Sequence, residues 1–356
     1  MDSVPGPVAV PDVPEVPEVP AVPSVRLRVV LWLRALADSV IAPSPAAIRR
    51  WALAGVITSA LIILTGAAVR LSQSGLGCPD WPDCTARSIG AAGATGDTLI
   101  HRWIEFGNRL VTAAIFVVAV GVFIAAWRFR QSDGRKRRDL LWLAAAQPAA
   151  IVLQALLGGI VVITKLNPAL VSLHFMASVA LVAATVALYV RCQEGTGPPV
   201  PFVPPVVRLS ALGIVGAVAV MMTAGTVVTG TGPLAGAADI HRYHLPLEGV
   251  TQLHADIGWL LAGLMVALLV GLRLSPAPRR AVRQGWLLLG LIGLQGVIGY
   301  TQYFSGLPAG LVWFHVTGSV SIWITALLLP YSLRDRGAIP AGEPRLTESA
   351  SATLQS

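Results

Sequence analysis

Eight apolar runs divide this chain, at 51–71, 104–127, 140–163, 170–190, 209–229, 251–272, 284–303 and 311–332. Each is about twenty residues long, enough to cross roughly 30 Å of hydrocarbon as a helix. The runs explain a composition that is 54% hydrophobic and only 12% charged, where a soluble domain carries about 25% charged residues. One compact water-soluble core is thereby excluded. The expected fold is an all-α integral membrane protein whose eight transmembrane helices form two tandem, pseudo-symmetric four-helix bundles.

The net charge of +8 would suit a nucleic-acid partner, but its distribution argues against one. Arg26, Arg28, Arg34, Arg49 and Arg50 precede the first run, and Arg128, Arg130, Arg135, Lys136, Arg137 and Arg138 separate the second from the third. Arg273, Arg279, Arg280 and Arg283 separate the sixth from the seventh, and Arg334, Arg336 and Arg345 follow the eighth. The alternate loops 72–103, 164–169, 230–250 and 304–310 are poor in Lys and Arg. A positive-inside distribution of this kind places both termini in the cytoplasm of a multi-pass protein of the cell (plasma) membrane. The partners expected are a lipid bilayer and no nucleic acid. Residues 1–24, rich in Val-Pro-Glu units, and 335–356, polar with Gly and Pro, read as extended or disordered tails. Residues 25–40, with Arg residues and Trp32, suit an amphipathic helix at the inner surface.

The runs repeat internally. Gln154-Ala155-Leu156-Leu157-Gly158-Gly159 is followed by His174 and Ser178, and Gln295-Gly296-Val297-Ile298-Gly299-Tyr300 by His315 and Ser319 at the same intervals. Gly66-Ala67-Ala68-Val69 and Gly225-Thr226-Val227-Val228 match more weakly. The chain therefore divides into a cytoplasmic tail and possible surface helix (1–48), a first four-helix half (49–192), an inner linker (193–208), a second four-helix half (209–334) and a cytoplasmic tail (335–356). Both halves begin on the same side, so the repeat is parallel.

Ionisable groups inside spans are costly and usually functional. His174, His254 and His315 all fall near outer helix starts, at matching depth. His254 and His315 suit two neutral imidazoles on facing helices, above and below one haem iron. The alternative is a pair of packing histidines. His241 and His244 in an outer loop offer two ligands for a soft metal, or simply a solvated loop. In His101-Arg102-Trp103-Ile104-Glu105-Phe106-Gly107-Asn108-Arg109, Glu105 and Asn108 share a helix face and Glu105 and Arg109 are spaced to pair. That run also reads as an ordinary helix start with an acidic residue near the positive dipole end. Cys78 and Cys84 share an outer, oxidising loop, which suits a disulfide; two free thiols are the alternative. Cys192, at an inner end, reads as a buried or interfacial thiol.

Taken together, Gly66-Ala67-Ala68-Val69-Arg70, Ser74-Gly75-Leu76-Gly77-Cys78-Pro79-Asp80-Trp81-Pro82-x-Cys84, Glu105-x-x-Asn108-Arg109, the two Gln…Gly…His modules and Thr251-x-x-His254 resemble the haem A synthase family. The resemblance spans roughly 51–332 and leaves out both tails. It implies an oxidoreductase that converts the C8 methyl group of haem O to a formyl group, giving haem A for terminal oxidases. It implies a haem B (iron) cofactor between His254 and His315, with haem O as substrate in the first half, held there by His174. Glu105 takes the catalytic position, Asn108, Arg70 and Arg109 join the haem-contacting set, and Cys78 and Cys84 form the disulfide. Arg70, Arg102 and Lys165 are placed to meet propionates, or to snorkel at the interface. Haem O synthase, terminal oxidase assembly and a second copy of the chain stand as candidate partners.

One position departs from the family pattern. Asn108 stands where that motif has His, and an amide is a poor iron ligand. Either His174 alone holds the substrate haem, leaving an open or water-ligated face, or His101 substitutes. His101 lies seven residues upstream, about 10 Å along a helix. Three other readings compete. A dihaem b-type electron carrier needs symmetric His pairs, which Asn108 breaks. A transporter would draw on the repeat, but that repeat is parallel and no span contains an unwound segment. The third is an inactive relative.

Overall fold

Proline begins most of the long helices. In the computed structural model, which describes residues 24–85, 90, 96–131 and 134–337, α2 (Pro45–Leu71), α5 (Pro168–Arg191) and α6 (Pro205–Thr231) carry Pro in their first turn. Pro246, Pro278 and Pro308 cap α7 (Leu247–Arg273), α8 (Arg279–Phe304) and α9 (Ala309–Ser332). A first-turn proline loses no helical hydrogen bond and presets φ. Ser44 and Asn167 add side-chain caps, accepting from the amides of Ala47 and Ala169, both at 3.1 Å. The remaining long helices are α3 (Asp97–Arg128) and α4 (Arg138–Ile163).

These eight helices are long and apolar enough to cross a membrane, so the all-α membrane fold expected from the apolar runs is present. The largest boundary difference is at α3, which starts at Asp97 rather than 104. Its first two turns are polar, so hydropathy misses them, and they bring His101 onto the helix. A further helix, α1 (Val25–Ile41), buries none of its residues. It coincides with the expected amphipathic segment. The tails 1–23 and 338–356 lie outside the described residues.

Neighbouring helices pack α2 on α3, α3 on α4, α4 on α5 and α5 back on α2. In the same way α6 packs on α7, α7 on α8, α8 on α9 and α9 back on α6. Contacts of α9 with α2 and α5, and of α5 with α6, join the two sets. The main apolar core lies along this seam, with Val56, Val179, Val182, Met265, Ile322 and Leu329 buried together. Two indoles stitch it: Trp323 Nε1 donates to the Val179 carbonyl at 2.9 Å and Trp313 Nε1 to that of Leu64 at 3.1 Å.

The α4–α5 and α8–α9 hairpins make the same turn. Lys165 and Leu166 take φ of +52° and +59°, and Gly306 and Leu307 take +77° and +60°. Each turn closes by a six-residue backbone bond, Leu166 to Val161 and Leu307 to Gln302, both at 2.8 Å. Such left-handed termination satisfies helix-end carbonyls.

The opposite ends carry the charges. Asp139 accepts from Arg137 at 2.8 Å and from Arg191 at 2.6 Å, while Glu194 accepts from Arg191 at 2.6 Å and Arg334 at 3.0 Å. A two-residue strand pair, β1 (Val200–Pro201) with β2 (Arg334–Asp335), lies beside this network. Cys192 is buried here, and desolvation pushes its thiol up to about 12. It is the buried thiol expected from the sequence.

Candidate functional site

His254 on α7 and His315 on α9 face each other with ring centres 6.2 Å apart. Two imidazole–metal bonds of about 2 Å each, with a ring radius added at either end, span about 6 Å. The Nδ1 atoms of both rings are buried without a hydrogen-bond partner. A packing pair would use those nitrogens, since buried polar atoms are nearly always bonded. The residues present therefore fit one metal-centred macrocycle held from both faces.

Glycine makes room for each ring. His254 Cε1 lies 3.2 Å from where a Cβ on Gly225 would stand, and His315 Cε1 lies 3.3 Å from that of Gly299. His174 Cε1 is likewise 3.4 Å from that of Gly158. The Gln…Gly…His module thus has a physical reading. The glycine on one helix seats the imidazole of the next. The glutamine fixes the backbone there: Gln154 Nε2 donates to the His174 carbonyl at 3.0 Å and also to Ser178 Oγ.

The first set of helices has one such imidazole, not two. His174 Nδ1 is buried and unpaired like the other two. Asn108 on α3 also buries an unpaired Oδ1. His101 sits two turns nearer the loop, its Nδ1 2.8 Å from Ser74 Oγ, and Ser74 is fully buried. The loop thus occupies His101 at the helix end.

The cysteine loop is fastened to α3. Cys78 and Cys84 are buried with their sulfurs at bonding distance. Glu105, 6% exposed, accepts from the Cys78 amide at 2.7 Å and from Arg109 at 3.0 Å. The Arg109 guanidinium also donates to the carbonyls of Cys78, Asp80, Pro82 and Asp83, at 3.1–3.2 Å. A fork with five fixed donors suits this task. The Glu105–Arg109 pair read from spacing is present, and its larger role as a loop clamp was not legible there. Trp81 at the loop tip lies over Gly159, the residue after the glycine that seats His174. The loop thus borders the His174 position.

Arg70 is committed elsewhere: it donates to the Leu234 carbonyl at 2.5 Å, while Gly75 N donates to the Gly236 carbonyl at 2.9 Å. The outer loops of the two helix sets interlock there, over buried Leu166. His241 and His244 are exposed, 5.4 Å apart ring to ring, and among the described residues no group of three metal-binding side chains exists.

The Gln…Gly…His spacing marks Gly158 and Gly299, each sixteen residues before its histidine, but their role as seats for the rings appears only in the packing.

Comparison with known proteins adds a family and relatives. A family model described as COX15-CtaA, cytochrome oxidase assembly protein, matches residues 49–327. A protein from Listeria welshimeri named Heme A synthase is 28% identical over 148 residues, 41% of this chain and 46% of the relative. One of the same name from Lysinibacillus sphaericus is 31% identical over 127 residues, 35% of this chain and 38% of the relative. Another from Oceanobacillus iheyensis is 26% identical over 134 residues, 38% and 37% respectively. The alignments span about half the length of these relatives or less.

Proposed function

This chain belongs to the COX15-CtaA family of cytochrome oxidase assembly proteins, and on that premise we propose that it is a haem A synthase. It oxidises the C8 methyl group of haem O to a formyl group, a four-electron change in which an external electron acceptor is reduced and water or dioxygen supplies the oxygen atom. The observation that carries the reading is the asymmetry between the helix sets. One brings two imidazoles face to face, and the other has a single imidazole beside a clamped loop and a buried carboxylate. A dihaem electron carrier has no use for that difference. The names of the relatives support the same activity.

In this reading α6–α9 form the cofactor half and α2–α5 the substrate half. His254 and His315 would hold haem B, which would supply the electron-transfer chemistry in this half. His174 holds haem O from one face. The bound macrocycles supply the electron chemistry, and the protein supplies orientation and charge. Glu105 accepts the proton that leaves the methyl carbon. Its charge is sustained by Arg109 and the Cys78 amide, without which a buried carboxylate is costly. Proton uptake weakens both bonds, which couples chemistry to the loop clamp. Trp81, over Gly159, excludes water from the His174 side. Cys78 and Cys84 form a disulfide that staples the loop. The charged network at Asp139 and Glu194 lies on the cytoplasmic side of the cell membrane, with both termini.

The deciding experiment is pigment extraction from membranes of cells making haem O, with and without this protein. Haem A appears only with the protein under this reading. Haem B alone would leave a b-type cytochrome, and no pigment would leave neither.

A further inference from the structure

The four helix hairpins carry four matched positions, and one of them differs. Gly158 faces His174, Gly225 faces His254 and Gly299 faces His315, each with Cε1 3.2–3.4 Å from the glycine's Cβ direction. The repeat supplies the fourth pair. Gly66 aligns with Gly225, since each stands eleven residues before a loop glycine, Gly77 and Gly236. Asn108 aligns with His254, through Glu105-x-x-Asn108 and Thr251-x-x-His254.

Among the described residues, no atom beyond the helix's own backbone lies within 4 Å of that Cβ direction at Gly66. Asparagine is shorter than histidine and does not reach it. The Asn108 side chain has not turned to another task, because its Oδ1 is buried and unpaired. Its backbone carbonyl accepts from Thr112 Oγ1 at 3.0 Å. His101 does not fill the space, since Ser74 holds it at the helix end. By the repeat, the seat that holds an imidazole in three hairpins falls between Gly66 and Asn108 in the fourth, where no described side chain packs on the glycine and the Asn108 Oδ1 lacks a donor.

We propose that the space between Gly66 and Asn108 binds a small neutral ligand carrying both a lone pair and an N–H or O–H. Water and an imidazole-sized base share this chemistry. Asn108 Oδ1 accepts the ligand's hydrogen bond, which orients the lone pair to the face of the substrate haem that His174 leaves free. Asn108 is thus a positioning residue for an exchangeable ligand. Azide and other anions without an N–H or O–H are disfavoured, because they leave the Asn108 Oδ1 without a donor. The inference rests on α2–α5 being the substrate half.

The test is an imidazole titration of the full-length ferric protein in detergent, saturated with added haem, followed by visible absorption and electron paramagnetic resonance. One low-spin haem should be indifferent to imidazole. A second, high-spin haem should convert to low spin with saturation, and azide should be at least tenfold weaker. Asn108→His should make the second haem low-spin without imidazole. Gly66→Val should weaken the imidazole response at least tenfold and leave the first haem's signal in place. The proposal is overturned if both haems are low-spin before imidazole, or if the response survives unchanged in both variants. Binding of only the low-spin haem overturns it as well and spares the cofactor half. Protein that takes up no haem overturns the function and this inference together.

Discussion

At the residue scale, the three seated imidazoles and the buried carboxylate make separable predictions. Glu105→Gln keeps the shape of the clamp but removes the proton acceptor. Haem content should stay near wild type while formyl product falls about 100-fold or more, as for loss of a general base; chromatography of extracted pigment reads both. A normal haem A yield would take Glu105 out of the chemistry. Gly225→Val places a branched side chain where His254 Cε1 now lies. Overpacking of this kind costs about 1–3 kcal/mol, and the low-spin haem signal should be lost as the ring is displaced. Cys192 is inert by contrast. Its thiol, pushed up to about 12 by burial, stays protonated at pH 8, and only the thiolate reacts. Maleimide labelling at pH 8 should be negligible until the protein unfolds; rapid labelling of folded protein would contradict its burial.

At the element scale, the loop at 78–84 is fastened to α3 by Arg109 and, at the Cys78 amide, by Glu105. Spacing alone reads Glu105 and Arg109 as an intrahelical pair of the kind worth a few tenths of a kcal/mol. The tertiary setting adds four loop carbonyls to the same guanidinium. Arg109→Lys keeps the charge and loses the fork, so hydrogen exchange over 78–84 should quicken at least tenfold while that in α4 and α5 is unchanged. Equal protection in the variant would mean that the paired cysteines and the Glu105–Cys78 bond hold the loop without the arginine. The start of α3 shows why boundaries elude hydropathy: His101 and Arg102 are helical but polar, so they fall outside any apolar run.

At the scale of the whole molecule, the two helix sets meet along a seam closed by indoles at two levels of α9 and by guanidinium–carboxylate bonds at one end. Trp323→Phe removes the bond to the Val179 carbonyl and keeps the ring. It should cost about 1 kcal/mol, read as lowered thermal stability in detergent without a change in haem content. A loss of haem at full stability would instead mean that this seam shapes the haem site directly. The seam also brings Trp313, two residues before His315, to the Leu64 carbonyl on α2, two residues before Gly66. The His315 segment of α9 and the Gly66 segment of α2 are therefore neighbours across it.

Sequence alone determined the number of spans, the repeat, the charge asymmetry of the loops and the histidines worth watching. Each is a one-dimensional pattern, set by hydrocarbon thickness or by a fixed interval between residues. Tertiary structure decided which groups meet. Only packing in three dimensions could seat each ring on a glycine of the preceding helix, engage His101 with Ser74, spend Arg70 on a loop carbonyl and leave Gly66 open before Asn108. Those outcomes depend on side-chain length and helix rotation, which a spacing in the chain does not encode.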